Sequence, residues 1–246
     1  MSDRGDLQLA GVRNGSSATR GTRYGDIGLT VLLASLCLLV FIVLPFTPRG
    51  SVGRTLVTAG ASLVLVSAIF AVSGRWIVRA PAIGLLAISL VAQWGSRVAP
   101  SDIVIRAMLI STIAFLALTA GCLLHQVLRP GRITGHRIRG AIAIYLLLGV
   151  IWGYVYILLE HEAPGALVGD AASSPGSIQY ERLPGQFYFS FVTLTTLGYG
   201  DISPESPAAR VLAMLEALIG QIYLVVIIAR LVSLQIVSSG GKREPS

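Results

Sequence analysis

Long apolar runs without charge alternate with short polar, arginine-bearing segments along most of this 246-residue chain. A helix needs about 20 apolar residues to cross the hydrocarbon core of a bilayer. Six runs approach or reach that length, at residues 27–46, 55–73, 80–96, 107–128, 140–159 and 211–229. The third is short and carries Pro81; the sixth is broken only by Glu216. Between the fifth and sixth, residues 186–197 are apolar over only about half a span. A half-length helix that returns as irregular backbone is tolerated at membrane depth only where protein buries it or where it lines a water path. The pattern therefore predicts an all-α membrane protein with six transmembrane helices and a re-entrant helix between the last two.

Composition agrees. The chain is 54% hydrophobic and 13% charged, against about 25% charged in soluble domains. Charge cannot cover such a surface, so lipid must. The net charge of +7 does not point to nucleic acid, because the arginines are scattered over loops between apolar runs. Cys37 and Cys122 both fall inside such runs and read as small apolar residues. Residues 1–26 are polar and rich in Gly, Ser and Arg, without the apolar core of a signal peptide; they read as a disordered cytoplasmic tail. Residues 238–246 read as a second short cytoplasmic tail.

Arginine placement orients the helices. With the amino terminus inside, 13 Lys and Arg fall on inner segments and 6 on outer ones, as the positive-inside rule requires. Both termini are then cytoplasmic, in a multi-pass protein of the cell membrane. The half-length segment enters from outside. Glu160, Glu162, Asp170, Glu181, Asp201 and Glu205 are placed around its outer mouth, where they would concentrate cations. For those before Glu181, a solvated loop is the simpler reading.

The half-length segment ends in Thr195-Thr196-Leu197-Gly198-Tyr199-Gly200-Asp201. The string 196–200 resembles the selectivity filter of potassium channels. Residues from about 140 to 237 are similar to the outer helix, pore helix, filter and inner helix of the two-helix bacterial potassium channels and their ion-transport relatives. The resemblance implies four copies whose backbone carbonyls, with the Thr196 hydroxyl, replace water around a dehydrated potassium ion. Thr196, Leu197, Gly198, Tyr199 and Gly200 would bind the ion. The glycines supply backbone angles closed to other residues. Thr195, Asp201, Tyr188, Phe189 and Glu216 would support the filter. The pore helix would be residues 186–195, its aromatics Phe187, Tyr188, Phe189 and Phe191 forming a cuff or simply a core. Its carboxyl end would favour a cation.

On the inner helix, Gly220 stands where the family often has a hinge, although close helix packing explains a glycine equally well. Gln221, Leu224, Ile228, Val232 and Ile236 share a face that would line the pore or pack on the fifth span. Glu216 is an acid inside a span, so it must be protonated, paired or beside water; bracing the back of the filter by a hydrogen bond is its expected role.

The domains are accordingly a tail, 1–26; a four-helix membrane domain, 27–129; a potassium channel pore domain, 138–237; and a tail, 238–246. The front domain lacks the arginine repeat of a voltage sensor. Arg106 stands alone at the outer edge of the fourth span, with Ser111, Thr112 and Thr119 further in, so strong voltage gating is not expected. The expected function is passive potassium conduction through a homotetramer in contact with membrane lipids, with no cofactor, no nucleic acid and no soluble ligand domain. The alternatives are a non-conducting sensor or scaffold, or a non-selective cation channel on the same pore fold. An enzyme is disfavoured: His125, His136 and His161 have neither a nucleophile partner nor metal-ligand spacing.

Overall fold

A computed structural model describes residues 27–46, 50–71, 76–98, 101–129, 135–169 and 179–240. The expected tail at 1–26 and the last residues of the other lie outside them. Seven helices and two short strands make up the described part. In order they are α1 Ile27–Val43, α2 Ser51–Ala71, α3 Trp76–Val98, α4 Asp102–Leu128, α5 Gly135–Glu162, β1 Leu167–Gly169, α6 Gln179–Leu194, β2 Ile202–Pro204 and α7 Pro207–Gly240.

Four of these, α2, α4, α5 and α7, are long and apolar enough to cross a membrane, and α1 is a shorter apolar helix. The chain is thus a helical membrane protein. Helix ends run past the apolar runs wherever polar residues can stay in the helix. The half-length helix α6 starts seven residues before the expected Gln186, because Pro184 lies within it and does not stop it. As the sixth residue of the helix, Pro184 removes a single intrahelical donor. Likewise α3 runs through Pro81. The start of α4 is fixed by Ser101, whose side chain accepts from Val104 N. The end of α1, Leu39–Val43, widens into a π-turn.

The front helices are joined through small hydroxyls in an otherwise apolar interior. Ser35 and Ser67 share a 2.8 Å bond between α1 and α2. Ser62 donates to Gln93 Oε1 at 3.3 Å, and Ser89 donates to Ser111 at 3.0 Å. Short side chains let helix backbones approach while pairing polar atoms that lipid would leave unpaired. Helix α4 packs along both α3 and α5, and the main apolar core runs from α1, α2 and α4 into α5 through residues such as Leu36, Leu65, Phe115 and Leu147. Arg106, expected to stand alone, pairs with Glu162 on α5 at 2.8 Å. Arg230 of α7 donates to the Leu128 carbonyl that ends α4, at 3.1 Å.

Candidate functional site

The site is built on α6. One of its faces carries Phe187 and Phe191, a single turn apart. They meet Gly153 and Gly149, a single turn apart on α5, so closely that a Cβ at either glycine would overlap a ring. Phe187 also meets Tyr154 edge to face, with centroids 5.2 Å apart. A second face carries Ser190 and Leu194. Leu194 lies against Gly220 of α7, where a Cβ would overlap its carbonyl oxygen. Gly220 is therefore required by packing, and α7 continues through it as helix. Phe189 belongs to a smaller cluster with Tyr156, Leu167, Ile202 and Ala209. Of the four expected cuff aromatics, three pack within their own chain. Tyr188 remains exposed, with its hydroxyl directed at Asp201.

After α6 the chain turns sharply. Thr196 N donates to Thr193 O, and Leu197 N to Val192 O, each at 2.9 Å. Thr196, Gly198 and Gly200 have φ of 57°, 61° and 81°, whereas Leu197 and Tyr199 do not enter that region. Positive φ thus recurs at every second residue from Thr196 to Gly200. The glycines adopt this region freely. A β-branched residue there is strained by roughly 1–3 kcal/mol. Thr196 is held by its own hydroxyl, which donates to Thr195 O at 2.7 Å and accepts from Gln221 Nε2 at 3.2 Å. The Thr195 hydroxyl in turn donates to Phe191 O at 2.7 Å. Residues 195–201 are all exposed.

Beyond the loop, β2 pairs antiparallel with β1, in the register Leu167 with Pro204 and Gly169 with Ile202. Gly169 has φ 145°, and a Cβ there would overlap the Asp201 carbonyl. The turn before β1 is fixed by Glu160, which accepts from Gly165 N at 2.8 Å and Leu167 N at 3.2 Å. Glu160 and Glu162 are therefore engaged in the structure rather than free in a solvated loop. Glu205 lies 3.7 Å from Arg210. The side chains of Asp170 and Glu181 fall outside the described residues.

Helix α7 buries a narrow stripe, including Ala209, Glu216, Gly220 and Ile227, and leaves the rest open. Only 17% of its apolar window is buried, against 44% in α2 and α4 and 50% in α5. Of the expected lining residues, Gln221, Ile228 and Val232 are exposed and Leu224 is half-buried; the side chain of Ile236 is outside the described set. Because Ile222, Val225 and Val226 are exposed as well, exposure alone does not single out that face. Beside the loop an apolar hollow of about 570 Å³ is lined by Phe41, Leu44, Tyr188, Val192, Leu197 and Tyr199, among others.

Sequence reasoning missed Tyr156 and Ser190. Their hydroxyls lie 2.6 Å from the two carboxyl oxygens of Glu216. It also missed the glycine pair on α5, although the Gly149-x-x-x-Gly153 spacing was there to be read.

Comparison with known proteins finds ion channels over part of the chain. The family model described as ion channel (Ion_trans_2) matches residues 144–235. Mouse "Voltage-gated potassium channel KCNC1" is 32% identical over 95 residues, covering 36% of this chain and 18% of that protein. Rice "Two pore potassium channel c" is 33% identical over 95 residues, covering 39% and 20%. Human "Potassium channel subfamily K member 17" is 49% identical over 39 residues, covering 16% and 12%. The chain spans about a fifth or less of the length of these relatives. No solved structure matches it. Over residues 144–235 the chain matches the potassium channel pore family.

Proposed function

We propose that this protein is a potassium-selective channel whose pore is completed by four identical chains. The observation that carries the reading is the exposed Thr196–Gly200 loop, with its alternating backbone hand, set at the end of a half-length helix. One loop cannot surround an ion, and four around an axis can. The uncovered faces of α7 and the apolar hollow beside Tyr188 support the same assembly, because apolar helix surface and a matching recess serve as partners for a second copy.

In this reading the carbonyls of residues 196–200 and the Thr196 hydroxyl take over the hydration of potassium, and no cofactor takes part. Thr195, Asp201, Tyr188 and Phe189 hold the loop. The two membrane domains are residues 27–129 and 138–237, giving six spans and a re-entrant α6, with both termini cytoplasmic in the cell membrane. Gln221, Leu224, Ile228, Val232 and Ile236 face the path, and the apolar ring near Val232 closes by dewetting. Gating is not strongly voltage-dependent, because Arg106 is the one arginine of α4 and is paired to α5 at one end of that helix. A change of potential has no stacked charges to move.

Flux into liposomes holding the purified protein tests this. Potassium should pass, sodium should not, and barium should block. Equal passage of both cations supports a non-selective pore. No passage, with Gly198→Ala indistinguishable from wild type, supports a scaffold.

A further inference from the structure

We propose that Glu216 carries a proton, and that as a neutral acid it clips α5, α6 and α7 together behind the filter, which makes it a positioning residue for ion passage. Glu216, Tyr156 and Ser190 come from three different helices and are each fully buried. Tyr156 Oη donates to Glu216 Oε2 at 2.6 Å. Ser190 Oγ lies 2.6 Å from Glu216 Oε1 and 2.8 Å from the Gly149 carbonyl of α5.

Counting hydrogens limits the direction of these bonds. The Gly149 carbonyl can only accept, and Ser190 has one hydroxyl hydrogen to give. If Ser190 donates to Gly149, the short bond to Glu216 must take its hydrogen from the carboxyl group. The chain then runs from the Tyr156 hydroxyl to Oε2, from the Oε1 hydroxyl to Ser190, and from Ser190 to Gly149, with every polar atom satisfied. An ionised Glu216 would have to draw Ser190 away from Gly149. It would also stand without a cation, since neither of the ion pairs found among the described residues includes it. Among the described residues, the other titratable group placed to feel its charge is Tyr145, also a phenol. A buried carboxylate with no counter-charge is among the costliest arrangements inside a membrane.

The clip acts on the filter through helix register. Ser190 and Leu194 are one turn apart on α6, and Glu216 and Gly220 are one turn apart on α7. Ser190 with Glu216 and Leu194 with Gly220 are thus two rungs of one ladder, and Leu194 directly precedes the loop. Losing the first rung lets the second slide and carries Thr196 with it. The inference rests on the channel reading for its effect on flux; the proton itself does not.

Glutamine has the shape and hydrogen-bond pattern of a neutral glutamic acid, so Glu216→Gln should keep the clip. Infrared spectra of wild type and Glu216→Gln in liposomes should show a neutral carboxyl C=O stretch, sensitive to deuterium exchange, in the first and not in the second. Potassium flux of Glu216→Gln should stay within about twofold of wild type. Glu216→Ala and Ser190→Ala should lose flux on the order of tenfold, the scale expected when buried partners are left unpaired. The proposal is overturned if wild type lacks that band, or if Glu216→Gln falls as far as Glu216→Ala. If wild type passes no potassium, the channel reading fails while the infrared band still decides the proton.

Discussion

The front helices and the pore helices solve the same problem, polar atoms in an apolar interior, by opposite means. In α1 to α4, serines pair across helix contacts and the bundle largely completes itself. In α7, most of the apolar surface remains uncovered, and the loop beside it is exposed. In the proposed channel, one region is folded for itself and the other is built for copies of itself. The glycines show the same contrast. Gly95 and Gly121 in the front helices have open space where a Cβ would go, whereas Gly149, Gly153 and Gly220 have none; Gly28, packed on the Phe70 carbonyl, is the front-helix exception.

The comparison breaks most directly at Gly220. Gly220→Ala would push α7 off Leu194, and flux should fall to background while the front helices keep their helical circular dichroism. Next, Gly149→Ala and Gly153→Ala should each lower stability by about 1–3 kcal/mol, the usual cost of overpacking, read as a drop in thermal midpoint in detergent. Gly121→Ala in α4 should instead be neutral or stabilising by up to about 1 kcal/mol, because helix propensity is all that changes. A drop at Gly121 equal to that at Gly149 would erase the distinction between open and packed glycines. Gly169→Ala should loosen the β1–β2 pairing and speed the decay of steady potassium currents, with selectivity retained at early times. The smallest effect is expected at Arg106→Gln. Its pair with Glu162 is half exposed at both ends, so about 0–1 kcal/mol is at stake, and added salt should hide the difference from wild type.

The parts legible in the sequence are those whose chemistry is written in residue type. The Thr-Leu-Gly-Tyr-Gly string announces backbone geometry, and apolar run length announces helices. Glu216 announced itself as the one acid within a span. Its partners did not, because Tyr156 lies 60 residues away and a serine such as Ser190 looks like any other small residue in an apolar run. The left-handed backbone of Thr196 was also hidden: nothing in a threonine foretells it, and it follows from how the loop leaves α6. Strands of three residues carry too little periodicity to be seen, so β1 and β2 came only with the structure. The start of α6 was misplaced because the apolar run begins only at Gln186, and the helix takes in the polar residues before it.

The pairing of β1 with β2 changes what the loop between Leu194 and Ile202 is. With one end pinned against α7 and the other stitched to the strand that follows α5, those residues behave as a string stretched between two posts. Much of the slack in such a segment is removed when the chain folds, before any ion arrives. In the proposed channel, an entering cation would meet oxygens already in place, with little disorder left to quench.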